Sequence, residues 1–268
     1  MCGVGAISHN PKDTRFDVGV AAAALLRGIE HRGRHATGAA WYRPADDTLA
    51  VTKLPVTATT FLKHREAILP ERTPAMLLHT RYATHGNVED RDNNHPIQHE
   101  NVVGIHNGVL QNHRAIFTRL GATPGTPVDS EAIMALLNAA EGHPTEVLGE
   151  LRGDAAIAWI DLREPEVLHL AQVSGRPLAI AQTEGGSLLA ASTMRAVEDA
   201  AKAAKAKLAY REEIPDAKYL RVVRGSVAEY LDIQNVVKAE AGWRRKYDWT
   251  SGTGTAKAAP KAPVKVRA

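Results

Sequence analysis

The only cysteine of this 268-residue chain is its second residue, Cys2. An initiator methionine is usually removed when the next residue is small, and removal here would leave a free α-amine and a thiol on one residue. The amine, whose ordinary pKa is about 8, could then act as the base for its own thiol. The apolar run GVGAIS at residues 3–8 would anchor this terminus in a sheet. Cys2 is therefore a candidate nucleophile, although its position alone is a weak signal.

The single cysteine also limits the other chemistry open to the chain. It cannot form an internal disulfide, and it excludes a zinc site built from several thiolates. The chain has twelve histidines, but their spacing contains no His-Glu-x-x-His pattern or similar set. We therefore predict neither a metal nor another cofactor.

A long polar segment runs from Arg81 to Glu100, between the apolar runs at 75–80 and 101–106. Long loops inside compact domains are often functional. The pair Asn107–Gly108 follows directly, and Asn-Gly is typical of a tight hairpin turn. A turn of this kind can aim a backbone N–H at the negative charge that develops on an attacked carbonyl oxygen.

Apolar periodicity predicts the elements that would hold these residues in place. Helices are predicted at 18–30, 112–120, 131–141 and 194–206. Strands are predicted at 3–8, 38–43, 49–53, 75–80, 101–106, 155–161, 166–173, 177–182, 187–192, 219–223 and 226–231. Helices flanking two runs of antiparallel strands indicate a layered α+β sandwich, not a doubly wound parallel sheet.

Three sequence blocks occur in a fixed order: HTRYATHG at His79–Gly86, NNHP at Asn93–Pro96 and HNG at His106–Gly108. Together they resemble the glutaminase domain of class II glutamine amidotransferases. Flanking segments at 29–40, 128–133, 153–181 and 188–193 extend the resemblance to about residues 2–232. It implies the N-terminal-nucleophile (Ntn) hydrolase fold, a four-layer αββα sandwich of two antiparallel sheets.

The resemblance also implies roles for individual residues. Cys2 would attack the side-chain amide of L-glutamine, and the amide of Asn107 and the N–H of Gly108 would stabilise the oxyanion. Arg81 would bind the α-carboxylate of glutamine and Asp129 its α-ammonium. Three further residues would line the glutamine pocket: Tyr82, Thr84 and His85.

Other interpretations of these residues remain open. Asp129 could instead cap the helix predicted at 131, as could Ser130. Arg81 could be a solvated charge. Arg32 is expected to orient the N-terminal region, and His35 stands where the family usually has Asp. We interpret His31, His35, His79 and His95 as structural hydrogen-bonding residues.

The chain is predicted to divide into the amidotransferase domain at 2–232 and a basic C-terminal extension at 233–268. The extension carries eight Lys and Arg against two acidic residues, or +6, so the remainder carries −3 of the net +3. Nucleic-acid binding by the domain is therefore not expected. From about residue 252 the Gly, Thr, Ala, Lys and Pro composition predicts disorder. No signal sequence or membrane span is recognisable, and we expect a cytoplasmic protein.

The functional expectation is a glutaminase subunit that delivers ammonia in trans to a synthetase or transferase partner, because the extension is too short for an acceptor domain. Two alternatives stay open: a hydrolase of another γ-glutamyl amide, and a catalytically inactive binding module. The presence of the candidate catalytic and binding residues disfavours the inactive module. The sequence does not decide whether the chain forms a homo-oligomer.

Overall fold

A computed structural model of the chain describes residues 1–84 and 86–236, which contain two antiparallel sheets. The seven-stranded sheet has the order β11-β9-β10-β1-β4-β2-β3 and consists of β1 (Gly3–Ser8), β2 (Ala36–Arg43), β3 (Thr48–Leu54), β4 (Ala75–Arg81), β9 (Ala179–Thr183), β10 (Leu188–Ala191) and β11 (Leu208–Glu213). The six-stranded sheet has the order β13-β12-β8-β7-β6-β5 and consists of β5 (Ile97–His99), β6 (Val102–Leu110), β7 (Gly153–Asp161), β8 (Val167–Ser174), β12 (Lys218–Val223) and β13 (Ser226–Asp232).

Helices cover the outer face of each sheet. They are α1 (Val18–Ile29), α2 (Ala58–Phe61), α3 (His113–Leu120), α4 (Glu131–Asn138), α5 (Pro144–Leu148) and α6 (Met194–Ala203), with short 3-10 turns at Glu30–Arg32 and Arg91–Asn93. Helices α1 and α6 pack on the seven-stranded sheet, whereas α3 and α4 pack on the six-stranded sheet. A third apolar layer lies between the two sheets. The predicted αββα sandwich is confirmed.

Side chains of β1 point alternately to its two faces and contribute to two of these apolar layers. Val4 and Ala6 face the core between the sheets, whereas Ile7 faces the core beneath α1 and α6. Successive side chains of a strand point to opposite faces, so a fully apolar strand can serve both cores. All six residues of β1 are buried, which makes it a rigid support for the residue that precedes it.

The hairpin turn predicted at Asn107–Gly108 is wrong. Strand β6 continues through both residues to Leu110 and pairs Asn107 with Ala156 and Gly108 with Ala155 of β7. Glycine is needed there for a different reason than a turn, since a Cβ on Gly108 would lie 1.8 Å from the carbonyl oxygen of Asp154. Strands β5 and β11 and helices α2 and α5 had not been predicted, and α4 and α6 end three residues earlier than expected.

The last described strand, β13, ends at Asp232. The boundary proposed at residue 232 stays a prediction, and the disorder predicted from residue 252 falls outside the described residues. In the described part of the chain, no helix is both long and apolar enough to cross a membrane.

Candidate active site

Cys2 immediately precedes β1, a strand paired with β4 on one side and β10 on the other. The backbone there is tightly enclosed, because a Cβ on Gly3 would lie 2.5 Å from the Oγ1 atom of Thr80 and 2.7 Å from the Cβ of Ile29. Arg32 donates a hydrogen bond from Nε to the carbonyl oxygen of Cys2 at 3.0 Å. Arg32 thus holds the N-terminal region, as predicted.

The thiol of Cys2 lies against the backbone of Tyr82. The N–H of Tyr82 donates to Sγ at 3.4 Å, and Sγ lies 3.6 Å from the carbonyl oxygen of the same residue. Burial raises the pKa of Cys2, and the Asp129 carboxylate adds to the rise, while the Tyr82 hydrogen bond, the N-terminal amine and Arg81 lower it in part. The thiol is therefore protonated at neutral pH and needs a base to become a nucleophile.

The nearest candidate base is the N-terminal amine. In the chain that retains Met1, burial lowers the pKa of this amine, and the charges of Arg32 and Arg176 lower it further, against an opposing contribution from Cys2. A lowered pKa leaves more of the amine neutral near pH 7, and only the neutral amine accepts a proton.

A small cavity of about 30 Å³ lies beside the thiol. Its lining residues come from both sheets and their connections: Met1, Cys2, Tyr82, Thr84, Asn107, Gly108, Val109 and Arg176. The fold thus brings together five of the predicted site residues: Cys2, Tyr82, Thr84, Asn107 and Gly108. The third residue predicted to line the glutamine pocket, His85, lies outside the described residues.

Asn107 carries a buried donor that faces no acceptor. Its side chain is 1% exposed, and its Nδ2 atom has no hydrogen-bond partner among the residues that the structure describes. Buried polar groups in native proteins are nearly always satisfied, so an exception calls for an explanation. A developing oxyanion at the adjacent thiol would supply the acceptor.

Arg81 and Asp129 are buried close to the thiol but are not among the described residues that line this cavity. Arg81 donates from Nη1 to the Oδ1 atom of Asn94 at 2.7 Å. Asp129 accepts a hydrogen bond at Oδ2 from the N–H of Leu110, also at 2.7 Å. Each side chain is thus held by a group in the loop or strand next to the site.

The alternative interpretations of these two charges are wrong. Arg81 is 3% exposed and is therefore not a solvated charge. Asp129 does not cap the helix, because the cap residue of α4 is Ser130 and the bond from Leu110 ties Asp129 to β6 instead. The hydroxyl of Ser130 also bonds away from the helix, lying 2.9 Å from Nδ1 of His106.

Three buried histidines lie behind the site. Burial lowers the pKa of His79 to about 3, lowers that of His95 well below its ordinary value, and lowers that of His106. The Nε2 atom of His79 lies 3.2 Å from the carbonyl oxygen of His106, in agreement with a structural role. These rings are neutral at pH 7 and carry no charge into the site.

The other histidines differ in how far they match their predicted roles. Both ring nitrogens of His95 are buried with no hydrogen-bond partner in the described part of the chain, and its ring packs 4.2 Å from that of His79. The hydrogen-bonding role predicted for His95 is therefore not observed. His35 accepts a bond at Nδ1 from the N–H of Ala83 at 3.0 Å, and its ring lies 4.8 Å from that of Tyr82. His35 thus holds the segment that contacts the thiol.

Sequence reasoning missed Arg176, which lines the cavity from the connection between β8 and β9. Its only sequence signal is a cation in a Gly-Arg-Pro turn between two apolar strands. No group of three or more His, Cys, Asp or Glu side chains within residues 1–84 and 86–236 could hold a metal ion.

The sequence of this chain is similar to a protein-family model and to several known proteins. A family model described as "Glutamine amidotransferase domain" matches residues 79–199. Glutamine–fructose-6-phosphate aminotransferase (isomerizing) of Salmonella paratyphi A is 30% identical over 205 residues, covering 72% of this chain and 32% of that protein. The Acidithiobacillus ferridurans protein of the same name is 32% identical over 122 residues, covering 42% of this chain and 20% of that protein.

Solved structures share the fold at low sequence identity. Glutamine phosphoribosylpyrophosphate amidotransferase from B. subtilis, complexed with ADP and GMP, matches with a TM-score of 0.69 at 19% identity, covering 87% of this chain and 49% of that one. A glutamine aminotransferase class-II domain protein from Silicibacter pomeroyi matches with a TM-score of 0.51 at 15% identity, covering 86% of this chain and 99% of that one.

Proposed function

The chain carries a class II glutamine amidotransferase domain, and we propose that this domain hydrolyses the side-chain amide of L-glutamine to glutamate and ammonia. One observation carries the proposal. Cys2 and Asn107 line one cavity, and the buried Nδ2 atom of Asn107 has no hydrogen-bond partner among the described residues. A nucleophile beside an unsatisfied donor is the arrangement that acyl transfer requires.

The proposed reaction proceeds in two steps after Met1 is removed. The α-amine of Cys2 takes the thiol proton, and Sγ attacks the amide carbon while Asn107 Nδ2 and the Gly108 N–H hold the oxyanion. The carbon–nitrogen bond breaks, the amine returns its proton to the leaving nitrogen, and ammonia departs from a Cys2 thioester. Water, activated by the same amine, then cleaves the thioester to glutamate and the free thiol.

Charge accounts for the proposed recognition of the substrate. The α-carboxylate of glutamine needs a cation, and Arg81 supplies a guanidinium that can bind both oxygens. The α-ammonium needs an anion, and Asp129 lies close enough to affect the pKa values of both Cys2 and Arg81. Tyr82 and Thr84 line the cavity together with Cys2.

The destination of the ammonia forms the second part of the proposal. The chain spans about a third of the length of the curated relatives it matches (32%), and those relatives are named as aminotransferases of fructose-6-phosphate. We propose that the ammonia released here passes in trans to a synthetase or transferase that uses it. The proposed extent of the amidotransferase domain is residues 2–232.

The test begins with the purified chain, whose intact mass establishes whether Met1 has been removed. Glutamate release from glutamine is then measured for the wild type and for Cys2→Ala. We expect release by the wild type, none by the variant, and labelling of Cys2 by an electrophilic glutamine analogue. No release by the wild type, or labelling of a different residue, contradicts the proposal. Faster release from another γ-glutamyl amide than from glutamine would change the substrate but not the mechanism.

A further inference from the structure

Two guanidinium groups lie against Met1 at the mouth of the cavity. The Nη1 atom of Arg176 is 3.0 Å from the Met1 sulfur, and Nη2 of Arg32 is 3.9 Å from the same sulfur. A thioether is a weak acceptor, so it leaves both cations poorly compensated on this side. Removal of Met1 would take away this sulfur but leave Arg32, which donates to the Cys2 carbonyl oxygen, and Arg176, which lines the cavity together with Cys2.

Asp154 fixes the orientation of Arg176. Its Oδ2 atom lies 3.2 Å from Nη2 of Arg176, and both side chains are largely buried. The Nε atom of Arg176 is also buried and has no hydrogen-bond partner in the part of the chain that the structure describes. The carboxylate therefore compensates one edge of the guanidinium, while Nη1 points to the cavity.

We propose that Arg176 is a positioning residue for the nucleophile, which acts together with Arg32 on the α-amine that removal of Met1 exposes on Cys2. The inference rests on the proposed glutaminase mechanism, in which that amine is the base. It adds a role for Arg176, a residue for which the sequence motifs predicted none.

The physical basis is the repulsion between like charges. A cation close to an amine disfavours the ammonium form and lowers the pKa of the amine. In the chain that retains Met1, burial lowers the pKa of the Met1 amine, and Arg32 and Arg176 lower it further. The other charged groups around the thiol are Arg81 and Asp129, whose contributions to the pKa of Cys2 have opposite signs. Among the described residues, Arg32 and Arg176 are the cations that act on the N-terminal amine, and the carboxylate paired with Arg176 is that of Asp154.

The neighbouring histidines do not offer an alternative base for this role. His79, His95 and His106 are buried, and one or both ring nitrogens of His79 and His95 have no partner in the described part of the chain. His106 is already engaged on both sides, with Ser130 at 2.9 Å and the carbonyl oxygen of Asp154 at 3.3 Å. None of the three lines the cavity beside Cys2.

The test uses the mature protein with Met1 removed, and compares Arg176→Gln with the wild type. Glutamine at this position keeps an N–H donor for Asp154 but has no charge. Arg176→Lys serves as the charge-conserving variant. Arg224→Gln serves as the remote control, because Arg224 is exposed and pairs only with Glu166 among the described residues. Thermal unfolding checks that each variant is folded.

Two measurements report on the amine without requiring turnover. Competitive acylation of the N-terminus across pH, followed by peptide mass spectrometry, gives the pKa of the α-amine. The pH dependence of Cys2 alkylation by iodoacetamide reports on the adjacent thiol. The pH profile of kcat/KM for glutamine is measured in parallel.

We expect Arg176→Gln to raise the pKa of the α-amine by about 1 unit. The acidic limb of the kcat/KM profile should move to higher pH by a similar amount, because more of the base is protonated at each pH. Arg176→Lys, which keeps the positive charge, should show an α-amine pKa close to that of the wild type, and Arg224→Gln should cause no shift. An unchanged α-amine pKa in folded Arg176→Gln overturns the proposal. If Arg176→Gln does not fold, Arg176→Met, which keeps the aliphatic stem, takes its place in both labelling measurements.

A wild type that shows no glutamine hydrolysis would defeat the proposed function but leave the labelling experiment intact. An α-amine pKa that shifts without any change in the kcat/KM profile would overturn the role of Arg176 in catalysis while the glutaminase activity stands. The two failures are therefore distinguishable.

Discussion

Cys2 and Asn107 line one cavity although the strands that position them belong to different sheets. Cys2 precedes β1 of the seven-stranded sheet, and Asn107 lies within β6 of the six-stranded sheet. The packing of the two sheets against each other therefore sets their relative position. A buried donor without an acceptor lowers the stability of the folded protein. In the proposed mechanism, Asn107 Nδ2 gains its acceptor when the oxyanion forms in the transition state.

Replacing Asn107 with alanine tests this relationship. We expect kcat for glutamine hydrolysis to fall about 100- to 1000-fold, because one oxyanion donor is lost, while KM changes little. Stability should suffer much less than activity, since the Asn107 amide nitrogen has no partner to lose among the described residues. Steady-state kinetics and urea unfolding measure the two effects separately.

The matched control for Asn107→Ala is Asn101→Ala, an exposed asparagine at the start of the same region. Its kcat should equal that of the wild type. A kcat for Asn107→Ala within threefold of the wild type would remove Asn107 from the proposed mechanism.

Gly108 is predicted to be irreplaceable for steric reasons. A Cβ there would lie 1.8 Å from the carbonyl oxygen of Asp154, so Gly108→Ala must shift the β6–β7 ladder. We expect a loss of about 3 kcal/mol or more in the free energy of unfolding, together with loss of glutaminase activity. Gly121→Ala is the control, because Gly121 has φ of +62° but no neighbour within 4 Å of its Cβ position. Backbone strain alone should cost it about 1 to 2 kcal/mol.

A comparison of the two glycine variants by urea unfolding separates steric overlap from backbone strain. Equal losses in the two variants would contradict the steric explanation for Gly108.

The Asn107–Gly108 pair also shows where prediction from the sequence succeeded and failed. Both residues line the cavity beside Cys2, but the local structure predicted for them was wrong, because Asn-Gly is a strong turn signal by itself. The nine-residue β6 is held by pairing with β7, a tertiary interaction that local sequence does not encode. Long apolar strands such as β1 and β4 were found within a residue or so of their bounds, because burial on both faces leaves a clear pattern.

Elements without such a pattern were missed. Strand β5 has three residues, and β11 has a mostly exposed face with three charged residues at its end, so neither shows strong apolar periodicity. Arg176 was missed because its proximity to Cys2 depends on how the chain folds back between β8 and β9. The sequence motifs identified candidate residues within the blocks at 79–86, 93–96 and 106–108. They did not indicate that Arg176, far along the chain from these blocks, would lie at the same site.

Glu131 provides a pH-dependent test of the packing beside the site. Burial alone would raise the pKa of Glu131, but hydrogen bonds from the N–H of Gly125, from His99 and from Thr126 outweigh it and hold the pKa below its ordinary value. A carboxylate with a lowered folded-state pKa stabilises the fold above its unfolded-state pKa, which is about 4.3. That contribution is lost as the pH falls through the folded-state pKa.

Glu131→Gln should therefore lower the free energy of unfolding by about 1 to 3 kcal/mol at pH 7, with a smaller loss as the pH falls below 4. Urea unfolding at a series of pH values measures the difference. Glu141→Gln, at an exposed position just beyond α4, should show no such dependence. A loss for Glu131→Gln that is independent of pH would mean that shape, not charge, is what Glu131 contributes.

Asp129 offers the sharpest test of substrate recognition. Asp129→Asn keeps an oxygen for the N–H of Leu110 but removes the negative charge proposed to bind the α-ammonium of glutamine. We expect kcat/KM for glutamine to fall about 10- to 100-fold, the equivalent of one hydrogen bond to a charged group. Alkylation of Cys2 by iodoacetamide, which has no amino-acid head, should proceed at the wild-type rate or faster, because the Asp129 carboxylate raises the pKa of the thiol. Equal losses in both reactions would show that the substitution disturbs the thiol itself, and Asp129 would then be a structural residue.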